Sequence, residues 1–275
     1  MKEDRTSIKS SQSVGGSALI KPTDFIKSDA IRLAVELFHE DRPDDAREIL
    51  REVIADGRDK AEAVLQLASV EIGANRPTEA IRLLIEHGQL FPDSDHLSRA
   101  RYHGRLSAAY RDLSHLGEDY ADKALIECEA AIHHYGKAGL KYDAGCAHNN
   151  LALLLADAGR LAEAREHLSS ARECFEGMPV KIAEVNQTRA ELSFEDAGRE
   201  REAFSLMVSA CATFDSEGET RLLRKAVPAL INAAARYAAS VRRADDDSLA
   251  PVASANRPEE SGVHDPEKFV HSRRG

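Results

Sequence analysis

No tryptophan occurs in this 275-residue chain, and aromatic residues together make up only 5% of it. A sheet built without aromatic anchors is a poor expectation. Long apolar runs are missing as well. The longest, Leu151 to Ala156, falls far short of the roughly 20 residues needed to cross a bilayer, so no membrane span is expected. The segment Met1 to Lys21 carries charges and serines but no apolar core of a secretory signal, which makes the cytoplasm the expected location. A basic surplus is absent too: 37 Lys and Arg stand against 47 Asp and Glu, for a net charge of -10. Without a phosphate-neutralising field, neither nucleic acid nor an anionic membrane is an expected partner.

Cysteine is scarce. Cys128, Cys146, Cys174 and Cys211 show no CxxC spacing, and this suits small buried hydrophobes in a reducing compartment better than a disulfide frame or a zinc site. The common catalytic signatures are also missing: HExxH, GxSxG, GxGxxG and the phosphate-cradling GxxxxGK followed by Ser or Thr do not occur. His133, His134, His148 and His167 fall in one stretch, but adjacent histidines on a helix point about 100° apart and make poor joint ligands. Carboxylate neighbours such as Glu118 with Asp119, or Glu127 with Glu129, arise on any solvated helix face when 31% of the chain is charged. The expectation is a protein that is not an enzyme and has no cofactor or metal.

What is present is helix-forming composition and internal repetition. Hydrophobic residues make up 43% of the chain, ample for a packed core, and alanine, leucine, glutamate and arginine favour helices packed through small and aliphatic side chains. Arg42-Pro43-Asp44-Asp45-Ala46 returns as Arg76-Pro77-Thr78-Glu79-Ala80, each with proline in the first turn of a helix and acids that suit its N-terminus. Further on, Ala158-Gly159-Arg160-Leu161-Ala162-Glu163-Ala164 returns as Ala197-Gly198-Arg199-Glu200-Arg201-Glu202-Ala203. Apolar residues keep helical spacing on both sides of each turn, so each repeat reads as two antiparallel helices.

The stretch 145–178 carries His148, Leu151, Ala152, Leu155, Gly159, Leu161, Ala164, Leu168 and Ala171 in an order that resembles the tetratricopeptide repeat. Ala152 stands where that family usually has glycine, and Leu155 where it has tyrosine. In-phase landmarks are Leu33, Ala34, Leu37 and Ala46 in a first unit, Leu67, Ala68, Ala80, Leu84 and Pro92 in a second, and Leu106, Tyr110 and Ala124 in a third. Phe194, Gly198, Ala203, Met207 and Ala210 mark a fifth. The third turn, Ser114 to Tyr120, is enlarged, which predicts longer helices around it. The expected fold is all-α: a solenoid of about five helix pairs over residues 27–242, closed by a capping helix over Leu222 to Val241. The segments 1–26 and 243–275, rich in Ser, Asp, Glu, Arg and Pro and without periodicity, read as disordered tails.

The resemblance implies a scaffold or adaptor, of the kind found in bacterial tetratricopeptide sensor arrays, that binds a protein or peptide in the groove lined by the first helix of each unit. The residues preceding each first-helix landmark are Arg32, Gln66, Arg105, Asn150 and Arg189, with Arg101 one turn before Arg105 and Asn149 beside Asn150. This polar, net positive set suits a carboxylate-bearing or extended segment. In peptide-binding members of the family an asparagine matching Asn150 contacts the ligand backbone. The alternative is a ligand-responsive regulatory module that acts in trans on a transcription factor or kinase, since about 26 residues before the first unit are too few for an output domain. Homo-oligomerisation through an exposed end of the solenoid is left open.

Overall fold

The structure is a computed structural model that describes residues 28–194 and 198–249. Of the segments read as tails, 1–26 and 250–275 lie outside the described residues, as does the repeat residue Ala197.

Proline at the first position opens α2 (Pro43–Asp56) and α4 (Pro77–Glu86), where its missing N–H has no intrahelical acceptor to lose. Each follows a first helix, α1 (Asp29–His39) and α3 (Lys60–Gly73). The same alternation continues with α5 (His96–Leu113) and α6 (Glu118–Lys137), then α7 (Lys141–Asp157) and α8 (Leu161–Cys174), then α9 (Pro179–Ser193) and α10 (Glu200–Ser216). The last helix, α11 (Thr220–Leu249), packs on α10. No strand occurs among the described residues. The chain divides into two compact units at Gly177, with α1 to α8 in the first and α9 to α11 in the second.

The turns within the pairs repeat in backbone detail. A residue with positive φ ends the first helix: Asp41 (64°), Asn75 (59°), Gly159 (74°) and Gly198 (90°). An arginine follows in each case. In three of these turns its N–H reaches back five residues to close the helix end, Arg42 to the Leu37 carbonyl at 2.9 Å, Arg76 to Glu71 at 2.8 Å and Arg160 to Leu155 at 2.8 Å. The arginine side chain then turns onto a carboxylate of the next helix, as Arg42 does with Asp45 (2.7 Å) and Arg160 with Glu163 (2.6 Å). One short element therefore satisfies the orphan carbonyls of the first helix and steers the entry of the second.

In the first unit, Ile31, Ala34, Leu37, Ala46, Leu50 and Leu67 form one buried cluster, and Val64, Leu65, Ala68, Leu84, Phe91 and Leu106 another. The landmarks Leu151, Ala152, Leu155, Ala164, Leu168 and Ala171 are all buried. Leu33 is a correction to the expected landmarks: it is 48% exposed, because it sits one step of about 100° around α1 from the buried Ala34. In the second unit, Ala190, Ala203, Met207 and Ala233 share one cluster, and Ala183, Ala210, Cys211, Phe214 and Ala226 another.

The enlarged third turn is a short 3-10 segment, Ser114–Leu116, and the helices flanking it run 18 and 20 residues, against 14 and 10 in the preceding pair. The C-terminal helix continues to Leu249, beyond the residue 242 at which the expected repeat domain ends. Pro228 lies inside it and removes the N–H that would bond to the Arg224 carbonyl.

Two buried features clamp the first unit. Arg47 on α2 donates from Nε to Glu71 Oε1 on α3 at 2.7 Å, with both side chains under 10% exposed. Gly145 on α7 accommodates the end of α8: a Cβ there would stand 2.8 Å from the Phe175 ring and 2.9 Å from Cys174 Cβ.

Candidate functional site

The first helix α3 touches α1 and also α5, so side chains on their shared face meet across helix boundaries. Three of the expected groove residues come together here, around a carboxylate. Arg101 on α5 holds Glu62 on α3 in a two-pronged fork, 2.6 Å to Oε2 and 2.8 Å to Oε1. Gln66, one turn along α3, donates its side-chain amide to Glu62 Oε1 at 2.7 Å. Burial penalises the Glu62 charge, but the Arg101 fork and the Gln66 amide outweigh it and hold the carboxyl below its ordinary range. Burial likewise opposes the charge on Arg101, and the fork more than offsets it, raising its pKa.

Arg105, one turn after Arg101, donates from Nε to the Ser69 hydroxyl oxygen, and the Ser69 hydroxyl in turn donates to the Leu65 carbonyl at 3.0 Å. Arg105 has no ion-paired carboxylate among the described residues. Burial lowers its pKa, the neighbouring Arg101 adds to that, and Tyr135 and Glu62 act the other way. Tyr135, from the last turns of α6, reaches the same place over Gly104, where an added Cβ would lie 3.9 Å from its hydroxyl. Burial raises the Tyr135 pKa against the pull of Arg105 and Arg101. Asp143, at the start of α7, is raised by burial in spite of Arg101. The arrangement is an inward-facing polar cluster with one compensated guanidinium and one, on Arg105, with donors to spare.

The other expected residues stand apart. Arg32 pairs with Asp29 on its own helix and is half exposed. Asn150 is exposed, whereas Asn149 is half-buried and its Oδ1 is buried without a hydrogen-bond partner. Arg189 belongs to the second unit, where it joins α9 to α10 through Glu202 at 2.8 Å. Sequence reasoning missed Glu62, Ser69, Tyr135 and Asp143. A legible trace existed for Glu62 alone, since it lies four residues before Gln66 on the same helix face.

The histidines close in sequence separate into cross-helix pairs. His148 on α7 meets His167 on α8, Nδ1 to Nδ1 at 3.0 Å, and His96 meets His134 in the same way at 3.1 Å. His103 stacks on His134 and reaches Glu127 at 2.6 Å. Among the described residues no three His, Cys, Asp or Glu side chains converge as a metal site requires. No helix of the described residues is long and apolar enough to cross a membrane.

Antiparallel helix pairs joined by a repeated turn, with polar side chains collected on the shared face of the first helices, define a helical-repeat protein of the protein-binding kind. Tetratricopeptide repeat models match residues 37–102 and 125–179, and these two segments are tetratricopeptide repeats. No curated protein matches it. Among solved structures it is similar to a thermophilic TPR protein of Thermus thermophilus, with a TM-score of 0.56 and 20% identity over 72% of this chain and 97% of the other. BtubC (BKLC) from P. vanneervenii matches at a TM-score of 0.54 and 17% identity, over 88% and 100% of the two chains. MamA matches at 0.51 and 18%, over 70% and 99%. At these identities the likeness is one of fold.

Proposed function

We propose that this tetratricopeptide repeat scaffold is a non-catalytic adaptor that holds a carboxylate-bearing protein or peptide segment on the shared first-helix face of its first unit, at Arg105. The observation that supports this reading is the state of Arg105. Its side chain is half-buried, engages only a hydroxyl through Nε, and has no carboxylate of its own, while Arg101 beside it is already matched by Glu62. An incoming carboxylate supplies the missing charge and accepts in the fork geometry that guanidinium favours. Asn150, exposed on α7, offers an amide donor and acceptor of the kind that extended peptide backbone requires. Arg101 is the weaker ligand group, because a partner carboxylate would have to displace Glu62.

The test is affinity capture with the full chain, comparing wild type, Arg105→Met and Asn150→Ala. Asn150 is exposed and Met keeps much of the arginine volume, so both variants should stay helical by circular dichroism. Loss of the same captured protein in both variants supports the reading. Capture that is undiminished in both, with helicity intact, refutes it. Peptides from the captured protein with free and amidated carboxyl groups then show whether the carboxylate is what Arg105 reads.

A further inference from the structure

Acids in the first turn of a helix suit its N-terminus, and in this chain they also hold arginines. Asp45 of α2 pairs with Arg42 at 2.7 Å, Glu79 of α4 with Arg82 at 2.9 Å and Glu163 of α8 with Arg160 at 2.6 Å. The first-turn acids of α1, α3 and α10 are paired with arginine likewise. Asp143, the first-turn acid of α7, breaks the pattern. It is half-buried and forms no ion pair among the described residues. The cation that acts on it is Arg101, whose fork Glu62 already occupies.

Asp143 also stands close to Arg105, the unmatched arginine, through Tyr135. The Tyr135 carbonyl accepts the Leu140 N–H at 3.0 Å, which folds the start of α7 back onto the end of α6 and sets Asp143 one turn further along. The Tyr135 hydroxyl lies over Gly104, which is next to Arg105 on α5 and adds no side chain to the space. Tyr135 is within electrostatic reach of both charges: burial raises its pKa, Arg105 opposes that, and Asp143 adds to it. No ion pair joins Arg105 to Asp143, and the Tyr135 hydroxyl makes no hydrogen bond among the described residues. Two half-buried charges of opposite sign are thus left without counter-charges around one phenol. Each loses hydration with no partner in return. A ligand with a carboxylate alone would satisfy Arg105 but would bring a second negative charge toward Asp143. One that also carries a cation matches both.

We propose that the segment held at this face is dipolar: it sets a basic side chain against Asp143 and a carboxylate against Arg105, with the Tyr135 hydroxyl bonding to it between the two. This rests on the carboxylate site proposed above for Arg105 and names the partner's second recognition element. In an extended segment, side chains two positions apart point the same way, about 7 Å from one another. An acidic and a basic residue at such a spacing present both charges to one face.

The experiment is a nuclear magnetic resonance titration of the isotope-labelled full chain, read from the backbone amides of α5 and α7. The probes are acetyl-Glu-Ala-Lys-amide, the reversed acetyl-Lys-Ala-Glu-amide, and the single-charge peptides acetyl-Glu-Ala-Gln-amide and acetyl-Gln-Ala-Lys-amide. The better of the two dipolar peptides is expected to bind at least about tenfold more tightly than either single-charge peptide. Asp143→Asn is isosteric and strands no partner, so the chain should stay helical while the dipolar peptide falls to the level of the acidic one. Arg105→Met should remove the response to both. An acidic peptide that binds as tightly as the dipolar ones, or a dipolar preference that survives Asp143→Asn, overturns the dipolar proposal and leaves the carboxylate reading standing. Binding that Arg105→Met leaves unchanged, or no response to any of the four peptides, overturns both.

Discussion

Arg101 grips Glu62 with both terminal nitrogens, at 2.6 and 2.8 Å, across the contact between α3 and α5. Both side chains are largely buried, 14% and 17% exposed, so the fork binds two neighbouring repeats through charges that water cannot easily replace. Glu62→Ala leaves the Arg101 charge in a partly dry site and should cost about 3 kcal/mol by urea unfolding. The double variant with Arg101→Met should recover part of that loss, giving a coupling of about 1–3 kcal/mol. The pH dependence has a definite sign. The Glu62 carboxyl is held below its ordinary value of 4.5, so its contribution is complete above that value and is lost as the pH falls through the folded-state pKa.

Arg47 and Glu71 form the tighter pair, 9% and 4% exposed, and Arg76 from the adjacent turn adds a second guanidinium 3.5 Å from Glu71. Glu71→Ala should therefore be the most damaging single change among the ion pairs, about 3–5 kcal/mol by denaturant unfolding. Replacing both partners by apolar residues, Arg47→Met with Glu71→Leu, is expected to cost much less than the sum of the two single changes. A simple sum would mean that the two side chains stabilise independently.

His148 is held below its ordinary value of 6.5, first by burial and then by His167 opposite it. Between the folded and unfolded values the unfolded chain binds more protons, so stability rises with pH there and is lost as the pH drops from about 6.5. The two Nδ1 atoms at 3.0 Å hold one proton between them as a hydrogen bond, and a proton on both would set two N–H donors against each other. Chemical unfolding of the full chain at pH 7.5 and 5.5 should show an acid loss that His148→Asn reduces.

Gly145 is a packing glycine with an ordinary helical backbone. Gly145→Ala places a methyl 2.8 Å from Phe175 ring atoms and 2.9 Å from Cys174 Cβ, and should cost about 1–3 kcal/mol through displacement of the end of α8. Adding Phe175→Leu should return part of the loss. A thermal midpoint unchanged by Gly145→Ala would show that the α8 end yields freely.

Sequence alone determined the helix pairs. The recurrence of Arg42-Pro43 as Arg76-Pro77, the glycines 159 and 198, and apolar residues at helical spacing are all local signals, because a helix and its turn are set by residues within about five positions of one another. The buried landmarks Ala46, Leu84, Leu151 and Ala203 follow from the same periodicity. Tertiary structure decided what each polar side chain does. Arg101 meets Glu62 across 39 residues, Arg47 meets Glu71 across 24 and His148 meets His167 across 19, and no local pattern announces a partner at such distances. It also decided which apolar positions are spare. Leu33, Ile231 and Val241 are as hydrophobic as the core residues near them in sequence, and only the packing of α1 and α11 against their neighbours determines that these face solvent.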